Sequence, residues 1–494
     1  MCDTPLVDFL PGASMDTYLS ADAAQAVSAA LEDLAQKHHV PGLMFGLVAD
    51  GALRWTKAIG LADVEARRPV TPDTAFRIAS MTKNVTALAI LMLRDAGKVA
   101  LDAPVGDYVP EFARLKPPTA DSKPVSLRDL LNHSAGLVTD DPWGDRQLGI
   151  APADFTRLIA AGALFAQPPG IAFEYSNLGF ALLGRVIANV TGKRYQDYIA
   201  EALLRPLGMG ATTFDFFAVH EAQRATGYRW AHERWSAEAA EPDGEFGAMG
   251  GLVTTATDYA CYVAFLLSAW PPRDDADNGP ARRATVRELG LSHGLPLSAD
   301  TRVAKGKTVA VASGYGYGMV SSNDPVLGRT LHHRGGLPGY GSHVLIAPDT
   351  GIGLFTFANV TYFEADAANV AAAQALHDAG LWKPRERRVS PALAEAVAAI
   401  VRGYAAGQLD DAAPLFAVNL LPDEPLADRN AALAKLKAQL GDGTLVRIEP
   451  QHDLAGKFVM ACANGTLTGA ITLMPGPHPC IQTLTFDGAA LSKD

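Results

Sequence analysis

"FRIASMTKNVTALAILMLRDAGK", residues 76–98, decides the reading of this chain. It sets a serine, Ser80, three residues ahead of a lysine, Lys83, at the mouth of an almost unbroken apolar run. Positions i and i+3 share one helix face, with Cβ atoms roughly 5–6 Å apart. A serine hydroxyl is a weak nucleophile until a neighbour takes its proton. A lysine can take it when burial disfavours the ammonium and lowers its pKa. The run "VTALAILML" is apolar on every side, so the pair is expected at the start of a buried helix. Backbone N–H groups and the positive end of the helix dipole would there face a developing oxyanion. The spacing suits acyl transfer. A plain N-cap serine followed by a solvated lysine gives the same tetrapeptide, so the motif alone does not decide.

Outward from this stretch, the chain reads as strands at both ends of a long segment with helices between. "AAQAVSAALEDLAQKHHVPG" is an amphipathic helix stopped by Pro41 and Gly42. "GLMFGLVADGALRWTKAIGLA" is a hairpin turning at Asp50-Gly51, and "SHVLIAPDTGIGLFTFANV" is a second one. "GRTLHHRGG" reads as a short strand and "FEADAANVAAAQALHDAG" as a helix. Residues 80–300 read mainly as helices and loops, with "WPPRDDADNGPARR" an exposed loop. The expected architecture is an antiparallel sheet assembled from both ends of the segment, flanked by helices and carrying a helical insertion. A basic, proline-flanked border at "LWKPRERRVSP" separates residues 1–383 from 384–494. The second part shows two helical patterns and then the strands "LVRIEP", "KFVMACA" and "GAITLM", a small α+β domain.

The bulk properties bound the function. The 494 residues are 48% hydrophobic and 19% charged, with a formal net charge of −11. That balance argues against a sequence-independent grip on nucleic acid, which needs a basic footprint. Four scattered cysteines without a CxxC point to neither a disulfide framework nor a zinc site, and the histidines show no HExxH. No metal and no cofactor are expected. The opening "MCDTPLVDFLPGASMD" is acidic and proline-containing where a leader needs a basic end and an apolar core. No apolar run reaches the roughly 18 residues of a spanning helix. A cytoplasmic protein without membrane attachment is expected; the oligomeric state is not legible.

Two further stretches add to the first. "QPPGIAFEYSNLGFALLGRVIANVTG" holds Tyr175-Ser176-Asn177 before an apolar helix, and "HHRGGLPGYGSHVLI" holds His333-Arg334-Gly335-Gly336 before a strand. Together with Ser-x-x-Lys they resemble the penicillin-recognising serine hydrolases. These include the serine β-lactamases, D-alanyl-D-alanine peptidases, D-aminopeptidases and esterases of β-lactamase-like fold. The resemblance spans roughly residues 20–380 and extends to "VSLRDLLNHSAGL", "GAMGGLVTTATDYACYV" and "YGYGMV", in the family's order. The second motif is Tyr-x-Asn rather than the Ser-Asp-Asn of class A members. The third is His-x-Gly rather than Lys-Thr-Gly. Where a lysine would hold a substrate carboxylate, His333 is at most partly charged near pH 7.

The resemblance implies an α/β, β-lactamase-like fold and a role for each residue. Ser80 would be the nucleophile and Lys83 its proton acceptor. Tyr175 would pass a proton to the leaving group and later activate water, helped by the Lys83 cation. Asn177 would orient Lys83 or the acyl amide. The N–H groups of Ser80 and Gly336 would form the oxyanion hole, with Gly335 and Gly336 allowing close backbone approach. The expected function is a serine acyl hydrolase acting through an acyl-enzyme on a small-molecule ester. A D-aminopeptidase or D-amino-acid amidase is the alternative, ahead of a true β-lactamase. A catalytically inactive binding or scaffold protein of the same fold is the reading from another class. "GLSHG" matches the Gly-x-Ser-x-Gly elbow around Ser292, but "PARRATVRELG" ahead of it reads as helix where that motif needs a strand. His133 in "LLNHSAG" and the strand histidines His332 and His343 are expected to be structural.

Overall fold

The computed structural model describes residues 18–162, 164–292, 300–304 and 307–490. The opening residues with Cys2, and His293 and Gly294 of "GLSHG", lie outside the described residues. The chain divides into two compact units, Met1–Pro384 and Arg385–Asp494.

The larger unit is built on an antiparallel sheet. In spatial order its strands are Arg68–Pro69, Ala52–Asp63, Gly42–Ala49, Ile352–Ala358, Tyr340–Ala347, Gly328–Leu337, Val320–Asp324, Lys307–Tyr315 and Asp300–Ala304. The first hairpin turns at Asp50 and Gly51, whose φ angles of 49° and 74° suit a type I′ connection. Gly42–Ala49 joins the two ends of the segment. On its far side it pairs with Ile352–Ala358, Phe45 opposite Thr356 and Val48 opposite Gly353.

Both faces of that strand are buried, which is why it reads as a continuous apolar run. Leu43, Phe45 and Leu47 pack with Val27 and Leu31 of the helix Ala21–Lys37 and with Ala372 and Leu376 of the helix Ala365–Asp378. Met44 and Val48 belong to the opposite core, with Phe355, Phe357, Tyr259 and Val263. A Cβ on Gly46 would lie 2.1 Å from the Phe355 ring, so only glycine fits there.

The insertion supplies the helices Thr82–Asp95, Leu127–Leu131, Pro152–Ala161, Asn177–Thr191 and Ala256–Leu267. Thr82–Asp95 is buried continuously from Thr82 to Leu91. A two-residue pairing of Phe76–Arg77 with Val253–Thr254 ties the segment before Ser80 to the chain just after Met249. The sequence gives no sign of the three strands between 300 and 324. They lie at the end of the sheet, where polar residues such as Ser321 and Asn323 replace an apolar alternation.

The smaller unit has its own core. Helices Pro391–Ala406 and Leu426–Leu440 contribute Leu393, Val397, Ile400, Leu433 and Leu440. The four-stranded meander Gly443–His452, Ala455–Cys462, Gly465–Leu473 and Ile481–Ala490 contributes Phe458, Met460, Leu467 and Ile471. Ser390 caps the first helix by accepting the Leu393 N–H, Pro391 occupies its first turn, and Gly407 ends it at φ 77°. No described helix is long and apolar enough to cross a membrane.

Candidate active site

Ser80 sits in the tight turn Ala79–Met81, just ahead of the helix that begins at Thr82. The sequence placed it on the helix itself. Two hydrogen bonds hold the turn in front of the helix: Thr82 Oγ1 donates to the Ala79 carbonyl and Ser342 Oγ to the Ile78 carbonyl, both at 2.7 Å. Ala79 takes a φ of 49°, a left-handed conformation that costs a non-glycine residue roughly 1–3 kcal/mol.

One turn on, Lys83 is fully buried. Each of its three ammonium protons has an acceptor: Ser80 Oγ at 2.9 Å, Asn177 Oδ1 at 2.7 Å and the Met249 carbonyl at 3.0 Å. Burial pushes its pKa down to about 8, against the opposing pull of Asp141, Asp145 and Asp140. A buried amine near 8 holds a usable neutral fraction at neutral pH.

Tyr175 lies on the extended stretch before the helix Asn177–Thr191, its ring 4.9 Å from Lys83 Nζ. Ser80 is its hydrogen-bond partner, which favours ionisation, but burial and the adjacent Tyr315 outweigh that and hold its pKa well above an ordinary phenol's. The expectation that the lysine would ease Tyr175 into a base runs the other way here. At neutral pH Tyr175 is a phenol with a proton to give.

Asn177 opens the helix Asn177–Thr191, with Ser176 as its N-cap. Asp140 satisfies two of the first N–H groups, accepting from Asn177 N at 2.7 Å and Leu178 N at 2.8 Å. The Asn177 amide is thereby fixed between Lys83, on its oxygen, and Asp141, which accepts from its nitrogen.

His333 stands on the strand Gly328–Leu337. Its Nδ1 lies 2.6 Å from the Arg334 carbonyl, which can only accept, so Nδ1 carries the proton. Burial and Lys83 push its pKa down to about 3, so the ring is neutral. Nε2 is then an acceptor, and the Tyr315 hydroxyl at 2.8 Å donates to it. Gly335 has a steric cause. A Cβ there would lie 2.2 Å from Ser342 Oγ and 2.4 Å from the Ile78 carbonyl oxygen, so any larger residue would push the strand off the Ser80 turn. At Gly336 a Cβ would meet Tyr362 at 2.9 Å.

Ser80, Tyr175, His333, Gly335 and Gly336 line one cavity of about 480 Å³, with Lys83 and Asn177 bonded behind it. Ser292 lies elsewhere in the chain, preceded by the helix Arg283–Glu288, and does not line this cavity. Sequence reasoning missed Tyr315, Asp141 and Asp145, which also line the cleft. "TDDPWGD" looks like a solvated turn, and only its place before Tyr175 in the fold gives it meaning. His133 is buried behind the cleft. It accepts from Ser176 N at 3.2 Å, and its ring lies 4.4 Å from Tyr175 and 4.7 Å from Tyr315.

Comparison with known proteins shows the family and the fold. Residues 27–379 match the family described as Beta-lactamase. "Protein flp" of Staphylococcus aureus is 28% identical over 344 residues, 69% of this chain and 64% of that protein. The chain therefore spans just under two thirds of that relative's length. "Beta-lactamase-like protein 2" of Dictyostelium discoideum is 32% identical over 223 residues, 44% of this chain and 40% of that one. The solved structure of an octameric penicillin-binding protein homologue from Pyrococcus abyssi shares the fold, with a TM-score of 0.60, 22% identity, and coverage of 95% and 96%. With a serine, a buried lysine and a tyrosine assembled at one cleft inside the matched span, the chain belongs to the beta-lactamase family of serine hydrolases.

Proposed function

We propose that this chain hydrolyses small carboxylic esters through a covalent acyl-enzyme on Ser80. The observation that carries the reading is the 2.9 Å contact between Ser80 Oγ and a fully buried lysine amine, at the wall of an open cleft. Neutral Lys83 takes the hydroxyl proton as Oγ attacks the ester carbonyl. The Ser80 and Gly336 N–H groups stabilise the oxyanion. Tyr175 gives its proton to the departing alkoxide and regains one from Lys83. Water then attacks the acyl-enzyme, its proton passing to Lys83 and on to Ser80 as the acid leaves. The neutral His333 offers no charge to a substrate carboxylate, and Arg334 is paired with Glu364 and Asp366, both at 3.4 Å. Both observations disfavour a β-lactam over a neutral ester.

The test is hydrolysis of p-nitrophenyl butyrate by the wild type and Ser80→Ala. Loss of at least about a thousandfold in kcat/KM, with the fold intact by circular dichroism, is the expected result. Undiminished turnover in the variant would remove Ser80 as the nucleophile.

A further inference from the structure

The bonds of His133 converge on Tyr175 from both sides. His133 follows the short helix Leu127–Leu131 and takes a left-handed φ of 58°. In that conformation its carbonyl accepts from Glu174 N at 2.9 Å and its ring Nδ1 accepts from Ser176 N at 3.2 Å. Glu174 and Ser176 stand immediately before and after Tyr175. One residue therefore holds both neighbours of the tyrosine. The left-handed backbone costs a non-glycine residue roughly 1–3 kcal/mol, and histidine is among the side chains found there more often than most. The turn is itself anchored. Ser134 Oγ lies 2.6 Å from Asn132 Oδ1 and 3.0 Å from Asp129 Oδ1, and the Ser134 carbonyl accepts from Gly170 N at 2.8 Å.

Packing alone does not explain an imidazole at this place. A backbone N–H can only donate, so Nδ1 is bare and the ring's proton sits on Nε2. Nε2 is buried and has no hydrogen-bond partner among the described residues. The ring is boxed by Tyr175 at 4.4 Å, Tyr315 at 4.7 Å, Phe180 at 5.2 Å and Phe173 at 5.6 Å between centroids. An apolar side chain would fill that box without an orphaned donor, which costs about 1–3 kcal/mol. It could not accept the Ser176 N–H. Burial holds the ring neutral, its pKa well below the ordinary histidine value, so Nδ1 remains an acceptor.

We propose that His133 is a positioning residue for Tyr175, gripping the peptide on both sides of it and so setting the phenol against Ser80 and Lys83. The inference rests on the reading of Tyr175 as proton donor to the leaving group, and adds what holds that donor in place.

The leaving group supplies the test. Ethyl butyrate releases an alkoxide that needs the Tyr175 proton, whereas p-nitrophenyl butyrate releases a phenolate that departs without one. His133→Ala should lower kcat/KM for ethyl butyrate by about a hundredfold, the cost of a displaced general acid, and for p-nitrophenyl butyrate by far less. His133→Asn should recover most of the loss, since its Oδ1 can accept the Ser176 N–H and asparagine suits a left-handed φ. In Tyr175→Phe, where the proton is already gone, adding His133→Ala should cost ethyl butyrate nothing further. Equal losses on both esters, no recovery in His133→Asn, or additive losses in the double variant overturns the proposal, because each marks a residue that only supports the fold. A further measurement needs no turnover and stands if a variant fails to fold: nitrogen-15 spectra of the histidine-labelled wild type should show His133 bare at Nδ1 and protonated at Nε2. A protonated Nδ1 overturns the proposal. A bare Nδ1 in a protein that hydrolyses neither ester leaves the grip on Tyr175 standing and removes the esterase reading. Ester hydrolysis with equal losses does the reverse.

Discussion

Lys83 is where single-residue chemistry concentrates. Burial lowers its pKa to about 8, and on the proposed mechanism that value sets the pH dependence. In the proposed reaction the neutral amine accepts the Ser80 proton, and its population grows as pH rises through that value. The kcat/KM for a neutral ester should therefore climb from pH 6 and level off above about 8, the midpoint reporting the free enzyme. Lys83→Arg should lose roughly a hundred- to ten-thousandfold, because guanidinium stays protonated and cannot accept. A stopped-time p-nitrophenol assay across pH checks both. The Ser80–Lys83 pair was legible only in company: i and i+3 share a face in a helix, and the Tyr175 and His333 motifs with the family resemblance were needed to turn the tetrapeptide into a candidate site. The state of His333 was not legible. Its neutrality depends on burial and on the Arg334 carbonyl at Nδ1, both products of strand packing. The pKa of Tyr175 was likewise set by its surroundings, and in the direction opposite to the expected one.

Elements matter through close approach. The strand Gly328–Leu337 lies against the Ser80 turn, as the proposed oxyanion site requires, and Gly335 permits it. Gly335→Ala puts a methyl into backbone and a fixed hydroxyl rather than a flexible chain end. The strand must move, and with it Gly336. We expect a fall of about a hundredfold in kcat, the usual cost of displaced catalytic geometry, with Tm reduced by a few degrees. Wild-type activity in Gly335→Ala would show that the strand position is not limiting. The apolar hairpins and the buried helix could be read from their periods, because both faces or one face of each element meets a core. The strands at 300–324 could not, because edge strands carry polar residues. Tyr315 ends one of those strands, so its place on the cleft wall went unread although "YGYGMV" begins with it.

For the whole molecule, the smaller unit has a core that needs nothing outside residues 385–494. Expressed alone, that segment should give a cooperative thermal transition and dispersed amide resonances; a non-cooperative melt would contradict it. The helix and strand patterns of this unit were legible, except for Ile481–Ala490, where exposed threonines break up the apolar signal. The net charge of −11 acts on the same scale. It draws small cations toward the molecule before any cleft residue touches them, an attraction that added salt weakens.

The strand Gly42–Ala49 leaves the ribosome early and its partner Ile352–Ala358 late. At 5–20 residues per second, roughly 300 intervening residues take about 15–60 s to synthesise. Through that interval the strand Gly42–Ala49, buried along its whole length in the folded unit, has its hairpin neighbour and an open second edge. The pairing that makes the sheet continuous is thus also a waiting time, during which a nascent chain of this family presents a sticky edge to whatever else is in reach.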